Sequence, residues 1–135
     1  VARLPKSPKV YFGASDFKVY EAEPLSAKFE PKELYGHGSY VTSVALAGNM
    51  LVSGSYDQKL TWFDTTTSKI VKSEESHAKW IRGVHVSRDG QQVVSVADDM
   101  VAKLWDANGK LKFELRGHAG QLRTGAGLQL ADAPV

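Results

Sequence analysis

Apolar positions along this chain fall into short stretches, some alternating with polar residues and some continuous, and most stretches are closed by Gly, Asn, Asp or Ser. Such spacing is that of antiparallel strands with one or both faces buried. From Tyr40 onward it predicts strands at Tyr40–Ala47, Met50–Ser55, Lys59–Asp64 and Lys69–Glu74. It then predicts a second set at Trp80–Ser87, Gln91–Ala97, Val101–Asp106 and Lys110–Leu115. Ala47-Gly48-Asn49 and Tyr56-Asp57-Gln58 read as tight links, and Asp89-Gly90 and Asn108-Gly109 as hairpin turns, because these dipeptides accept positive φ. No stretch carries the spacing of an amphipathic helix. The expectation is an all-β chain.

The two sets are copies of one unit. VTSVALAGNMLVSGSYDQKLTWFD (Val41 to Asp64) aligns with IRGVHVSRDGQQVVSVADDMVAKLWD (Ile81 to Asp106), with a two-residue insertion at Arg88 to Gly90. His37 and His77 lie 40 positions apart, and the pairs Ser53/Ser95, Asp57/Asp99 and Asp64/Asp106 lie 42 apart. A third, degraded copy stands upstream: VYFGASDFKVYEAE (Val10 to Glu23) places Asp16 at the turn Asp, with Phe12 in place of the Ser and Ala22 one repeat before Phe63. No His precedes it, and its last strand is expected near Lys28 to Tyr35. Downstream, Gly117-His118 opens another unit whose one candidate strand is Gln121 to Leu128. A period of this length marks stacked supersecondary units.

Composition adds little to this picture but removes several classes. There is no Cys, so disulfides, thiolate chemistry and Cys-ligated zinc are excluded. Seventeen Lys and Arg against 15 Asp and Glu leave a formal net charge of +2, spread along the chain without a basic stripe, so nucleic acid is a minor expectation and an anionic membrane none. No run approaches the length needed to span a bilayer and VARLPKSPK lacks the apolar centre of a secretory signal, which favours a soluble, cytoplasmic chain. The chain opens on Val1, not Met, and an upstream stretch is expected to be missing.

The order Gly-His, strand, Ser, turn Asp, Trp-Asp resembles the WD-repeat β-propellers. The resemblance implies blades of four antiparallel strands, roughly 9–36, 37–76 and 77–116, with 117–128 supplying a last strand to a neighbouring blade. It also implies a hydrogen-bonded set of His, Ser, Asp and Trp within each blade. His77, Ser95, Asp99 and Trp105 make a full set. In the unit before it His37, Ser53 and Asp57 are present but Phe63 stands where the Trp belongs, so that blade is expected to lack the indole N–H bond. Trp62, one position earlier, is expected to face the other side of its strand.

Three blades subtend too small an arc to close a ring, and an open propeller leaves raw edges and apolar faces. The expectation is therefore closure by copies of the chain, as a dimer of six blades or a trimer of nine, or by the remainder of a longer chain. In self-assembly Gln121, Leu122 and Leu128 would meet Val10 and Phe12 of the next subunit's incomplete blade.

Candidate chemistry is sparse. His37, His77 and His118 all fall at the repeat position that the blade explains, and His85 has no second His at a metal-ligand spacing. Asp57 and Asp99 occupy one turn position in two blades, which speaks for a turn role over paired acid–base work. Asp98-Asp99 lacks the further oxygen ligands of a calcium loop. No catalytic set, metal centre or cofactor motif is read. Left unexplained are aromatics and bases near strand ends: Tyr40, Tyr56, Lys79, Trp80 and Arg82, the residue types that anchor interfaces. The function this favours is a non-catalytic scaffold that binds a protein or peptide on one propeller face and self-assembles. A propeller fragment whose activity ends at assembly is the alternative, and a small-ligand binder or enzyme using the central channel is a third.

Overall fold

The turn residues decide where the chain reverses, and the apolar alternation decides which face of each strand turns inward. The computed structural model describes residues 2–3, 8–24 and 30–116, and in these every regular element is a strand. They are β1 (Val10–Gly13), β2 (Lys18–Ala22), β3 (Lys32–Gly36), β4 (Val41–Ala47), β5 (Met50–Ser55), β6 (Lys59–Asp64), β7 (Lys69–Glu75), β8 (Ile81–Val86), β9 (Gln92–Ala97), β10 (Val101–Asp106) and β11 (Leu111–Arg116). Tyr40 and Trp80, expected to open strands, sit just before β4 and β8. Positions 25–29 and the expected strand Gln121 to Leu128 lie outside the described residues.

Antiparallel pairing groups the strands by sequence order into three sheets: β1-β2-β3, β4-β5-β6-β7 and β8-β9-β10-β11. The second and third are complete four-stranded blades. Gly48, Gly90 and Gly109 take positive φ (61°, 73° and 92°) in the hairpins, as a tight reversal demands. Each blade also drives a non-glycine residue into the left-handed region directly after its turn Asp: Phe17 (74°), Gln58 (72°) and Met100 (66°). The strain is offset locally, because the Asp carboxylate accepts the amide two residues on. These bonds are Lys18 N–H to Asp16 Oδ1 at 3.1 Å, Lys59 N–H to Asp57 Oδ1 at 2.9 Å, and Val101 N–H to Asp99 Oδ1 at 3.0 Å.

The sheets stack face to face, and alternation along a strand divides its side chains between two cores. Leu51 and Phe63 join Val44 against Ala2, Tyr11, Val19 and Tyr35 of the first sheet. Their neighbours Val52 and Trp62 point the other way, with Ala47 and Leu60, against Ile81, Val84, Val93, Ala97 and Trp105 of the third. Inner strands are tied across this second interface: Thr42 Oγ1 donates to the Ile81 carbonyl (2.7 Å) and Ser43 Oγ accepts the Val84 amide (3.0 Å). Gly54 permits the approach, since a Cβ there would stand 2.6 Å from Ile81 Cγ2. Gly13 meets Val41 in the same way one repeat earlier, at 2.5 Å, whereas the third blade has Val96 at that place. Its outward face carries a further buried cluster of Val94, Val96, Ala102 and Leu104. Three sheets stacked in this order do not close a ring.

The first blade has three described strands, yet its inner edge is not bare. Ala2 and Tyr11 exchange two backbone hydrogen bonds of 2.7 and 2.8 Å, and this pair stands where Ala45 faces Val52 in the next blade. A strand arriving there from a second copy has to displace Ala2. Val10 and Phe12 flank that point on β1, and Phe12 stacks on Tyr20 (centroids 5.6 Å apart); Gln121, Leu122 and Leu128 lie outside the described residues.

Candidate functional site

The described residues bring together two hydrogen-bonded sets and, at one end of the blades, a row of aromatic rings. In the third blade Trp105 Nε1–H donates to Ser95 Oγ (2.9 Å), and Ser95 Oγ lies 2.8 Å from His77 Nε2. His77 Nδ1 lies 2.9 Å from Asp99 Oδ2, which also accepts the Ala78 amide (3.1 Å). Since a carboxylate can only accept, Nδ1 carries the proton, Nε2 is the acceptor, and the serine hydroxyl donates to it. The His77 side chain is fully buried and burial pushes its pKa down, against the opposing pull of Asp99, so the ring is neutral as the network requires.

The second blade repeats this with one substitution of parts. His37 Nε2 stands 2.7 Å from Ser53 Oγ and Nδ1 3.1 Å from Asp57 Oδ2, which accepts the Gly38 amide at 2.8 Å. Burial lowers the His37 pKa as well. Burial alone would raise that of Asp57, but the Gly38 and Lys59 amides and His37 together outweigh it and hold the carboxyl below its usual range. Phe63 offers no donor, and no indole N–H reaches Ser53. A different group takes its place: Tyr35, on β3 of the preceding blade, places its hydroxyl 2.7 Å from Ser53 Oγ and its ring 5.1 Å from that of Phe63. The donor is restored from another blade. A bulky aromatic two residues before the His was its sequence signal; Glu75 holds that place before His77. In the first blade, whose His position would fall before Val1, the Tyr20 hydroxyl donates to the second oxygen of Asp16.

Trp62 faces away from Phe63 and meets Trp105 edge-on at 5.9 Å; its indole N–H is buried without a partner. His85 is exposed on β8, and no group of three His, Cys, Asp or Glu suited to a metal occurs among the described residues.

Residues next to the turn Asp and ahead of each inner strand converge on the aromatic row. Phe17 meets Tyr40 edge-on (5.1 Å), Tyr40 meets Tyr56 edge-on (5.9 Å), and Tyr56 stacks on Trp80 at 4.2 Å and 8°. The row crosses all three blades. Arg82 fixes its far end: a β-bulge between Ile81 and Gly83 re-aims this side chain, whose guanidinium carbon lies 5.1 Å from both the Tyr56 and Trp80 ring centres. Its Nη1 donates to the Tyr56 hydroxyl (2.7 Å), while Nε and Nη2 grip Asp98 at 2.8 to 3.1 Å. That pairing raises the Arg82 pKa further. Asp98, weighed with Asp99 as a cation site in the sequence, is thus the anchor of an arginine. Tyr40 (51%), Trp80 (47%) and Phe17 (37%) remain exposed. Beside Trp80 a cleft of about 270 Å³ is lined by Gln58, Lys79, Trp80 and Asp98. Phe17 and Asp98 belong to this surface and were missed in the sequence; the signal available was the repeat register, which aligns Phe17 with Gln58 and Asp98 with Tyr56.

Antiparallel blades stacked in sequence, each with a turn Asp and two of them four-stranded with a buried His–Ser–Asp set, define a β-propeller repeat. The chain belongs to the WD40 family (WD domain, G-beta repeat), whose profile matches residues 29–64 and 68–106. It is 31% identical over 118 residues to the nuclear distribution protein PAC1 of Arthroderma otae, a match covering 78% of this chain and 26% of that protein. With the small ribosomal subunit protein RACK1 of Drosophila melanogaster it shares 33% identity, over 92% of this chain and 56% of the relative. A guanine nucleotide-binding protein subunit beta-like protein of Encephalitozoon cuniculi is 35% identical over 69% of this chain and 31% of its own length. The chain spans about a quarter of the length of the PAC1 protein.

Proposed function

We propose that this chain is a non-catalytic interaction scaffold whose partner surface is the end of the blades carrying Tyr40, Tyr56, Lys79, Trp80 and Arg82, extended by Phe17. The observation that carries this is the aromatic row itself. Exposed Tyr40 and Trp80 rings, packed on a Tyr56 that Arg82 and Asp98 hold in place, bury large areas on contact at little conformational cost. The His–Ser–Asp sets lie behind it as supports that hold each turn in shape. Relatives named for the ribosomal subunit and for nuclear distribution are consistent with a scaffold.

The test is retention of partners by the immobilised chain and by a Tyr40→Ser/Trp80→Ser variant of unchanged circular dichroism, read by mass spectrometry. Partners lost from the variant are expected. Identical sets on both would sink the reading.

A second reading concerns closure. The outward face of the third blade is apolar, with Phe113 and Leu115 still 42% and 38% exposed, where the second blade has Lys72 and Glu74. The second blade covers its own corresponding face with the third, so a further blade is the fitting occupant. It comes from a second copy or from a longer chain. Light scattering decides: a multiple of 14.7 kDa supports closure by copies, and a monodisperse monomer overturns it.

A further inference from the structure

The surface just described, if it is the partner surface, has a chemistry that narrows its ligand. Its hydrogen-bonding groups are largely engaged within the chain. Arg82 uses Nε, Nη1 and Nη2 on Asp98 and Tyr56, and Gln58 Nε2 donates to the Ala78 carbonyl at 3.2 Å. The carbonyls of Tyr40 and Trp80 accept the amides of Tyr56 and Asp98, each at 3.0 Å. What remains on offer is ring faces and edges, the hydroxyl of Tyr40 and the indole N–H of Trp80, together with the exposed Lys79 ammonium, for which no described residue forms an ion pair.

A peptide laid on such a surface buries its backbone N–H groups against carbon, and each amide that loses water without a new acceptor weakens binding. Proline has no N–H to lose. It also arrives already ordered, because its fixed φ favours the extended polyproline conformation, and aromatic surfaces are what such segments dock on. Lys79 then sets the flank: beside Trp80, its ammonium calls for a carboxylate, while Asp98 in the same cleft is neutralised by Arg82.

We infer that the aromatic row binds an extended, proline-rich segment carrying an acidic residue, with prolines packed on Tyr40 and Trp80 and the acidic side chain on Lys79. This inference rests on the scaffold reading above. Arg82 is a positioning residue here: it holds Trp80 against Tyr56 and touches no ligand.

The experiment is fluorescence anisotropy of the intact chain with a labelled peptide containing Pro-Pro-Glu-Pro-Pro. Controls carry alanine for every proline, or lysine for the glutamate. Binding of the first peptide is expected to fall by at least about tenfold with either control and in Trp80→Ala. Lys79→Glu is expected to reverse the charge preference, favouring the lysine peptide; this exposed substitution leaves the fold intact, so the result stands even if Trp80→Ala perturbs its neighbours. Equal binding of the proline and alanine peptides, an unchanged preference in Lys79→Glu, or displacement by oligo-dT in place of peptide each overturns the inference. If no peptide binds while Tyr40→Ser/Trp80→Ser still loses its captured partners, the ligand chemistry is wrong and the scaffold stands. Captured partners indifferent to those substitutions remove both.

Discussion

The second and third blades build the same buried cluster from different donors. In the third, Trp105 on β10 reaches Ser95 on the neighbouring β9, so the bond is internal to one sheet. In the second, Tyr35 reaches across from the first sheet to Ser53, so the equivalent bond ties two blades together. The need is common to both: a buried serine hydroxyl that donates to a neutral imidazole has an oxygen left over, and some N–H or O–H must come to it. What differs is whether satisfying that need strengthens a blade or an interface.

Removing the shared serine should hurt most. Ser95→Ala orphans the indole N–H of Trp105 and Nε2 of His77, and Ser53→Ala orphans the Tyr35 hydroxyl and His37. At roughly 1 to 3 kcal/mol per stranded group, each is expected to cost about 3 kcal/mol in urea unfolding. A loss below about 1 kcal/mol in both would mean that water replaces these bonds and the comparison is empty. Trp105→Phe comes next. It copies the second blade's Phe63 but has only Glu75 where Tyr35 stands, and about 1.5 to 3 kcal/mol should be lost. Because Trp105 also packs on Trp62, a double-mutant cycle with Ser95→Ala is the discriminating measurement. Additivity in that cycle would show that packing alone was lost.

Tyr35→Phe is smaller, about 1 kcal/mol, and sharpens the contrast by its location. Hydrogen exchange should quicken along the first sheet and the start of the second, leaving β8–β10 unchanged. Uniform acceleration would contradict an interface role. The smallest effect is that of pH. His37 and His77 have folded pKa values held below the unfolded value, so the unfolded chain takes up protons first. Their contribution is full above the unfolded pKa of 6.5 and is lost as pH falls from there through the folded values. The depressed Asp57 adds to the loss only at more acid pH, from 3.8 downward. The urea midpoint should therefore drop between pH 7.5 and 5.5, by less in His37→Gln or His77→Gln; a midpoint that rises toward pH 5.5 would reverse the protonation assignment.

Much of the architecture was legible in the chain because it is written twice. Alternation and the spacing of His37/His77, Ser53/Ser95 and Asp57/Asp99 placed the strands of the two complete blades within a residue or so. They also aimed Phe63 and Trp62 at opposite faces, since a strand has a period of two. The first blade was harder. With Phe12 for the serine and the His position falling before Val1, little signal was left beyond Asp16 and its two following strands. Tyr20 closing onto Asp16, and Ala2 pairing with Tyr11, are contacts that residue spacing does not encode.

What the sequence determined by itself is the repeat: strand order, the turn Asp that stabilises a left-handed neighbour, and which residues were available for each set. These depend on neighbours a few positions apart, where backbone geometry leaves little choice. Only the tertiary structure decided that Tyr35 substitutes for an absent indole, that Asp98 anchors Arg82, and that four rings from three blades form one row. Each of those joins residues through the stacking of sheets, and the distance between two blades depends on how all their side chains pack together, not on any one stretch of chain.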